Sequence, residues 1–378
     1  MRSLAGPLII GGGPAGAAAA IVLAGAGRPV TLLERHAGPA DKLCGDFLSG
    51  GAVAALHRLG LDVGAVAGMP IVAIRLVHRR AVAEAPLPFP AMAMSRRRLD
   101  AGLLDLARQR GATVLRGEAV HGLQHDRRGF AARTAHGDVL QADTVFVATG
   151  KHDLRGLARP SRPDGLIGLK MYYRLAPGQD QALRNTIELF LFRNGYAGLQ
   201  RVAQDRAVLC LLLPAARYRA AGGDWQSLLD SVGAELPLLA DRLAGAAPCL
   251  ELPLAIAGTP YGHLHRQPAD APTGLFRLGD QACVVPSFAG DGMAIALHSG
   301  MQAAIVWLRG GSGAEYHAAF ARRAAVPLRI AGLIHAACRT PATQVLLAIA
   351  CRTWPASLRL AASLTRVARP AEQSGPTA

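Results

Sequence analysis

The sequence predicts a doubly wound α/β nucleotide-binding domain of Rossmann-like type. It carries an inserted antiparallel-sheet domain and a C-terminal group of helices. Three observations carry this. Leu8 to Gly16 is a short apolar run leading into a glycine turn and an alanine-rich stretch, with the spacing Gly11-x-Gly13-x-x-Gly16. Two later apolar runs, Asp143 to Ala148 and Leu275 to Leu278, end in Thr149-Gly150 and Gly279-Asp280, as buried parallel strands do. Between them, residues 155–274 change to a series of short alternating runs, the pattern of an antiparallel sheet.

Each glycine of the first turn has a task. Gly11 permits the tight turn, Gly13 lets the backbone approach a pyrophosphate, and Gly16 lets helix pack closely on strand. Pro14 and Ala15 open the helix, which runs from Ala15 to Ala26; its free N–H groups and dipole suit an anion. A second strand, Pro29 to Leu33, leads to Glu34 and Arg35, and an acid at that place can accept hydrogen bonds from an adenosine ribose. The glycines alone leave the choice of dinucleotide open.

A polar, glycine-rich loop from Asp41 to Gly51 then feeds a helix, Ala52 to Leu59. Ile71 to Ala83 reads as one strand, followed by a proline-rich passage, Pro86 to Pro90. Ser95 begins a helix whose Leu99, Leu103, Leu104, Leu106 and Ala107 make one apolar face. Asp100 early and Arg108 and Arg110 late suit its dipole, and Gly111 ends it. Thr113 to Leu115 reads as a parallel strand, and a meander follows at Val120 to Gly122, Phe130 to Ala135 and Val139 to Ala142. In the inserted domain the strands are Gly168 to Leu175, Ile187 to Phe192, Gly195 to Val202 and Ala207 to Leu213, with a helical stretch from Trp225 to Leu243. The nucleotide domain is therefore expected in three pieces, 1–70, 95–154 and 275–310, the last with a helix from Asp291 to Arg309. Residues 71–94 make an excursion to the inserted domain, 155–274. Residues 311–369 form C-terminal helices and 370–378 a disordered tail.

The chain has 378 residues, 51% of them hydrophobic and 18% charged, which fits a protein with a large core. Its formal net charge of +15 points less to nucleic acid than it seems. Only Lys42, Lys151 and Lys170 are lysines; the rest of the positive charge is scattered arginine, the pattern of codon bias in a GC-rich genome. The expectation is no nucleic-acid partner. Six separated cysteines without a C-x-x-C pair argue against a zinc ribbon or a disulfide framework and for a reducing compartment. His263-x-His265 lacks a third ligand at metal spacing, so no metal is expected. The first strand begins too early for a cleavable signal peptide, and no C-terminal window spans a membrane. A cytoplasmic protein is expected, with peripheral contact to a membrane or to a carrier or reductase protein.

Together, four motifs resemble the flavoproteins related to para-hydroxybenzoate hydroxylase, and within them the geranylgeranyl reductase branch. One is the glycine turn. The second is Phe276-Arg277-Leu278-Gly279-Asp280 with its sequel Val285-Pro286-x-x-Ala-Gly290-Asp291-Gly292-Met293. The resemblance implies that Asp280 accepts a hydrogen bond from the ribityl chain of FAD. It also implies that Pro286 and Gly290 shape a loop placing the Gly292 and Met293 N–H groups at the flavin N1 and O2 edge, as oxyanion donors would be placed. The third is Ser95-Arg96-x-x-Leu99-Asp100, where the resemblance puts Arg96 on the FAD ribose and pyrophosphate, a partner a guanidinium fork suits. Val120 falls where the family's backbone meets the adenine. The fourth is Lys42-Leu43-Cys44-Gly45-Asp46, in place of the branch's Pro-Cys-Gly-Gly; it implies that Cys44 and Gly45 lie beside the flavin, with Cys44 a candidate catalytic residue. Nothing in the sequence supplies a base for that thiol.

The resemblance implies an FAD-dependent oxidoreductase that transfers hydride through flavin N5 to or from an apolar, prenyl-like or secondary-metabolite substrate. The alternative it leaves is a monooxygenase acting on an aromatic or polyketide-like compound through a flavin hydroperoxide. The single dinucleotide fingerprint is taken by FAD, so NAD(P)H is expected as a transient electron donor. Ala148-Thr149-Gly150 and Gly279-Asp280-Gln281 depart from the aromatic hydroxylases towards the reductases, and a W-x-W-x-I-P halogenase motif is missing. Tyr172-Tyr173 and Tyr196 either line a substrate cavity or fill core.

Overall fold

The computed structural model describes residues 2–64, 68–160 and 165–367; the tail expected at 370–378 lies outside them. Five parallel strands form the central sheet, in the order Leu275–Arg277, Val145–Val147, Leu8–Ile10, Thr31–Glu34 and Thr113–Arg116. Their runs are largely apolar because both faces are covered: Ile9, Leu32, Phe146 and Phe276 pack on helices, and Leu8, Ile10, Leu33, Val145 and Val147 on a smaller sheet. The doubly wound fold is therefore the one the glycine turn predicts.

Two helices pack on this sheet closely enough to forbid side chains. A Cβ on Gly16 would lie 1.9 Å from the Gly11 carbonyl oxygen, and one on Gly300 would lie 2.1 Å from the Ala15 carbonyl oxygen. The helix Pro14–Gly25 is thereby pressed against both the strand before it and the helix Gly292–Leu308. Ala17 to Ala20 are wholly buried, so this helix has no polar stripe.

A four-stranded sheet made by Arg2–Ser3, Val139–Ala142, Gly129–Thr134 and Val120–Asp126 flanks the nucleotide domain. The second large sheet has nine strands. Leu166–Arg174, Arg206–Pro214, Gly195–Ala203, Thr186–Phe192, Met69–His78 and Ala81–Ala93 follow one another across it. One pairing departs from the expected antiparallel pattern: Thr186–Phe192 runs parallel to Met69–His78. That neighbour arrives from the excursion earlier in the chain, so no hairpin dictates its direction.

Three local expectations are corrected. Ile71 to Ala83 is not one strand but parts of two, Met69–His78 and Ala81–Ala93, joined by a tight turn with Arg79 at φ +55. An arginine in that region carries none of the glycine or asparagine signal that marks such turns. The proline passage belongs to the second of these strands. Pro86, Pro88 and Pro90 alternate, so their missing N–H groups fall on one edge, where a strand tolerates them. The stretch from Trp225 to Leu243 is two helices, Trp225–Glu235 and Pro237–Leu243, because Leu236 before the proline is held extended at φ −131.

At the C-terminus, Gly313–Ala337, Pro341–Thr353 and Ala356–Leu364 are helices, the last two packed on the Met69–Ala93 hairpin. No single helix among the described residues is long and apolar enough to cross a membrane.

Candidate active site

A cavity of about 300 Å³ opens at the ends of the central parallel strands, beneath the nine-stranded sheet. Two helix N-termini face it. Gly13 caps Pro14–Gly25 and Asp291 caps Gly292–Leu308. Neither makes a side-chain cap bond and neither first turn holds an acid. Both ends therefore offer free N–H groups and positive dipole ends to an anion or an electron-rich edge. The backbone at Gly292 is open, with nothing within 4 Å of where a Cβ would stand.

Beside the first N-terminus lies Arg96. A Cβ on Gly13 would come within 3.3 Å of its Nη2. Its Nε and Nη2 each donate 2.8 Å bonds to Asp100, leaving Nη1 without a protein acceptor among the described residues. Burial works against both charges, yet each holds the other ionised: Asp100 raises the Arg96 pKa, and Arg96 with Lys42 holds the Asp100 carboxyl below its usual range. Asp100, placed early in the helix as its dipole favours, is thus also a buried partner of Arg96.

Glu34 is also buried, its carboxylate fixed against the glycine turn. Gly12 N–H donates to Oε2 at 2.8 Å and His36 N–H to Oε1 at 3.1 Å. Only glycine fits at position 12, since a Cβ there would lie 2.9 Å from Glu34 Cβ. Arg35 beside it is exposed and bonds to His152 Nε2 at 3.0 Å.

The Lys42 to Asp46 loop is gripped by all three lysines of the chain. Lys42 Nζ lies 3.0 Å from Asp100 Oδ2, and Lys151 Nζ donates to the Leu43 carbonyl at 3.1 Å. Lys170 Nζ donates to the Lys42 carbonyl at 3.0 Å and to Asp46 Oδ2 at 2.8 Å. Tyr172 O–H donates to the same oxygen at 2.6 Å, and Gln200 Nε2 donates to the Gly45 carbonyl at 2.7 Å. Cys44 Sγ accepts the Asp46 N–H at 3.4 Å, and Cys210 S–H donates to the Cys44 carbonyl at 3.4 Å. Burial pushes the Cys210 thiol up to about 12, so it remains a neutral donor.

On the opposite wall, Gly279 at φ +57 donates its N–H to Ser299 Oγ at 2.8 Å, which turns the chain so that Asp280 borders the cavity. Gln281 Nε2 donates to the Gly150 and His152 carbonyls at 2.9 and 3.0 Å, tying two strand ends together. Gly290, at φ +64, faces the Phe47 ring 3.0 Å from where a Cβ would stand. Arg366 clamps this loop from the C-terminus. Its Nη1 donates to Asp291 Oδ1 at 3.1 Å, and its Nη2 to the Ala289 carbonyl. Ser49 O–H and the Val367 N–H bond to the same carboxylate.

The structure thus brings Gly13, Pro14, Ala15, Cys44, Gly45, Arg96, Asp280, Gly290, Gly292 and Met293 to one cavity. Gly11, Gly16 and Glu34 stand behind it as the frame of the first turn. Val120 begins a strand of the four-stranded sheet, and Pro286 precedes the short turn Ser287–Ala289; neither is in the lining. The remaining wall is mostly apolar, with Leu87, Phe89, Ile187, Leu189 and Leu211 from the second sheet. Tyr196 lines it as well, its oxygen accepting the Phe288 N–H at 3.1 Å, whereas Tyr172 and Tyr173 serve Asp46 and Trp225.

Sequence reasoning missed Lys170, Gln200, Cys210 and Arg366. Lys170 had a signal: one of three lysines, set inside an otherwise apolar strand. Arg366 had none, being one arginine among many.

Residues 6–145 match the FAD binding domain family. A menaquinone reductase of Mycobacterium tuberculosis is 31% identical over 193 residues, 48% of this chain and 47% of that protein. The chain thus matches about half the length of that relative. Among solved structures, the flavin-dependent brominase Bmp2 superposes with a TM-score of 0.79 at 17% identity, covering 96% of this chain and 94% of that one. A geranylgeranyl bacteriochlorophyll reductase-like protein of Thermoplasma acidophilum gives 0.71 at 16% identity, covering 96% and 100%. Residues 6–145 are thus similar to the FAD binding domain family, and the chain as a whole shares the fold of these solved flavoproteins.

Proposed function

We propose that the protein is an FAD-dependent oxidoreductase acting on an apolar, prenyl-like substrate, with NAD(P)H as transient electron donor. The observation that carries this reading is the cavity, which joins two uncapped helix N-termini to an apolar wall. When bound, FAD supplies hydride transfer at its N5.

The residues fit that group. Gly13 and the N–H groups of the first helix turn, with the free Nη1 of Arg96, suit a diphosphate. Glu34 keeps lone pairs for a ribose hydroxyl, and Asp280, whose side chain makes no bond to another described residue, has both oxygens for the ribityl chain. The Gly292 and Met293 N–H groups, at a helix N-terminus on the cavity, would stabilise negative charge on the bound flavin. Cys44 and Gly45 line the cavity where the flavin face would lie, and their loop is fixed by Lys42 and Lys170 from outside the lining and by Lys151 from within it.

The menaquinone reductase relative supports the reductase chemistry, and the lining of Leu, Ile and Phe supports a hydrocarbon partner. The test is anaerobic. Enzyme whose flavin has been reduced with NAD(P)H should be reoxidised by a prenyl-bearing acceptor and not by a polar analogue. No anaerobic reoxidation by that acceptor, with a hydroxylated product once oxygen is admitted, would replace this reading by monooxygenation.

A further inference from the structure

We infer that the three C-terminal helices form a docking face for an anionic lipid bilayer. Large apolar side chains stand outward on all three: Val326 and Leu333, Leu346 and Ile349, then Trp354 and Leu360. Leu333 is 73% exposed and Leu346 65%, well beyond what a helix packed in a core shows. On Gly313–Ala337 the positions Arg322, Val326, Arg329 and Leu333 follow steps of four, three and four, which is one stripe of a helix. Leu346, Ile349 and Arg352, at steps of three, share one side of the next helix. The face therefore alternates apolar anchors with arginines.

Charge commits the face to one occupant. From Tyr316 to Val367 the chain has no aspartate, glutamate or lysine, and Arg322, Arg323, Arg329, Arg352 and Arg359 are all exposed. A second copy of this face would meet like charge, whereas anionic headgroups complement it. Helices of this composition lie in the headgroup region with the apolar side chains buried and the guanidinium groups among phosphates. The Gly313–Ala337 and Pro341–Thr353 axes are bent 108° from each other, a geometry that lets both lie along a surface. Trp354, at the junction with the last helix, has the amphipathic ring that favours this depth.

The same helices reach the cavity. Ile334, Leu358, Ala361 and Ala362 line it from inside, while Leu333, Leu360 and Leu364 point out. An apolar substrate held in the bilayer would thus meet the wall that covers the site.

The flavin-loaded full chain should co-sediment with phosphatidylcholine vesicles containing phosphatidylglycerol, and far less with phosphatidylcholine alone or in high salt. This comparison needs no variant. R329E/R352E should lower the partition at least about thirtyfold, and L333S/L346S/W354S should abolish it at low salt, both with parental flavin content and melting temperature. Equal sedimentation with both vesicle types, none with either, or a chain that instead doubles its mass in solution through Leu333 and Leu346 would overturn the proposal. Binding is read without turnover, so the result stands apart from the redox reading.

Discussion

Lys170 Nζ lies 2.8 Å from Asp46 Oδ2, and both side chains are wholly excluded from solvent. The pair joins a strand of the large sheet to the loop that carries Cys44. Asp46 itself is held at φ +56, a region few residues other than Gly, Asn and Asp accept. Burial pushes the Asp46 carboxyl above its usual range, although Lys170 and Tyr172 pull the other way. The loop's shape thus depends on a partner more than a hundred residues distant.

Lys170→Met should cost about 3–5 kcal/mol, because it strands a buried carboxylate without its counter-charge. Adding Asp46→Asn should recover much of that loss, since an amide keeps the backbone conformation without the charge. Urea unfolding of the single and double variants measures the coupling; purely additive costs would contradict it.

Two glycines in the C-terminal half should respond in opposite directions to alanine. Gly300→Ala drives a methyl into the Ala15 carbonyl and should cost about 1–3 kcal/mol or more, with loss of flavin as the first helix shifts. Gly332→Ala meets nothing within 4 Å and should gain about 0.5–1 kcal/mol from helix propensity. Thermal melts of the two variants settle the comparison.

Asp280→Ala should weaken FAD binding at least tenfold, about 1.4 kcal/mol, without changing the melt of the flavin-free protein. The reason for that separation is local. The backbone carbonyl of Asp280, not its carboxylate, accepts the Arg159 bond at 2.8 Å, and Gln281 does the bridging. Flavin titration followed by fluorescence quenching reads the loss; unchanged affinity would remove Asp280 from the site.

Stability should fall as pH drops below about 6.5. Burial and the neighbouring His265 and Arg277 push the His317 pKa from 6.5 down to about 3, and its Nε2 must stay unprotonated to accept the Arg277 N–H at 3.2 Å. Between those values the unfolded chain binds the proton and the folded one does not. The contribution is therefore complete above pH 6.5 and lost towards pH 3, at about 1.4 kcal/mol per unit. His265, lowered to about 4 chiefly by burial, adds to the slope. His317→Gln, which keeps an acceptor and removes the titration, should flatten it in denaturation at pH 7 and pH 5.

The nucleotide half of this molecule was legible because its constraints are local. Gly11, Gly16 and Glu34 sit within one strand–turn–helix–strand unit, and their spacing encodes the close approaches seen at 1.9 to 2.9 Å. Asp280 and the Gly290 to Met293 loop were reached through the family resemblance instead, and they border the cavity. In the covering half the strands were legible by their alternation but the ties that hold the site were not: Lys170 meets Asp46, and Arg366 meets Asp291, through tertiary contacts that no window of sequence contains. The Arg79 turn failed for a different reason. A positive φ at arginine is a tertiary imposition on a run whose alternation continues across it.

The central claim is that two helix N-termini and one apolar cavity together hold FAD. Flavin released from the purified full chain by heat and resolved by chromatography tests it most directly. About one FAD per chain, falling sharply in Asp280→Ala, is the predicted result. A colourless protein that takes up no FAD on reconstitution would contradict it.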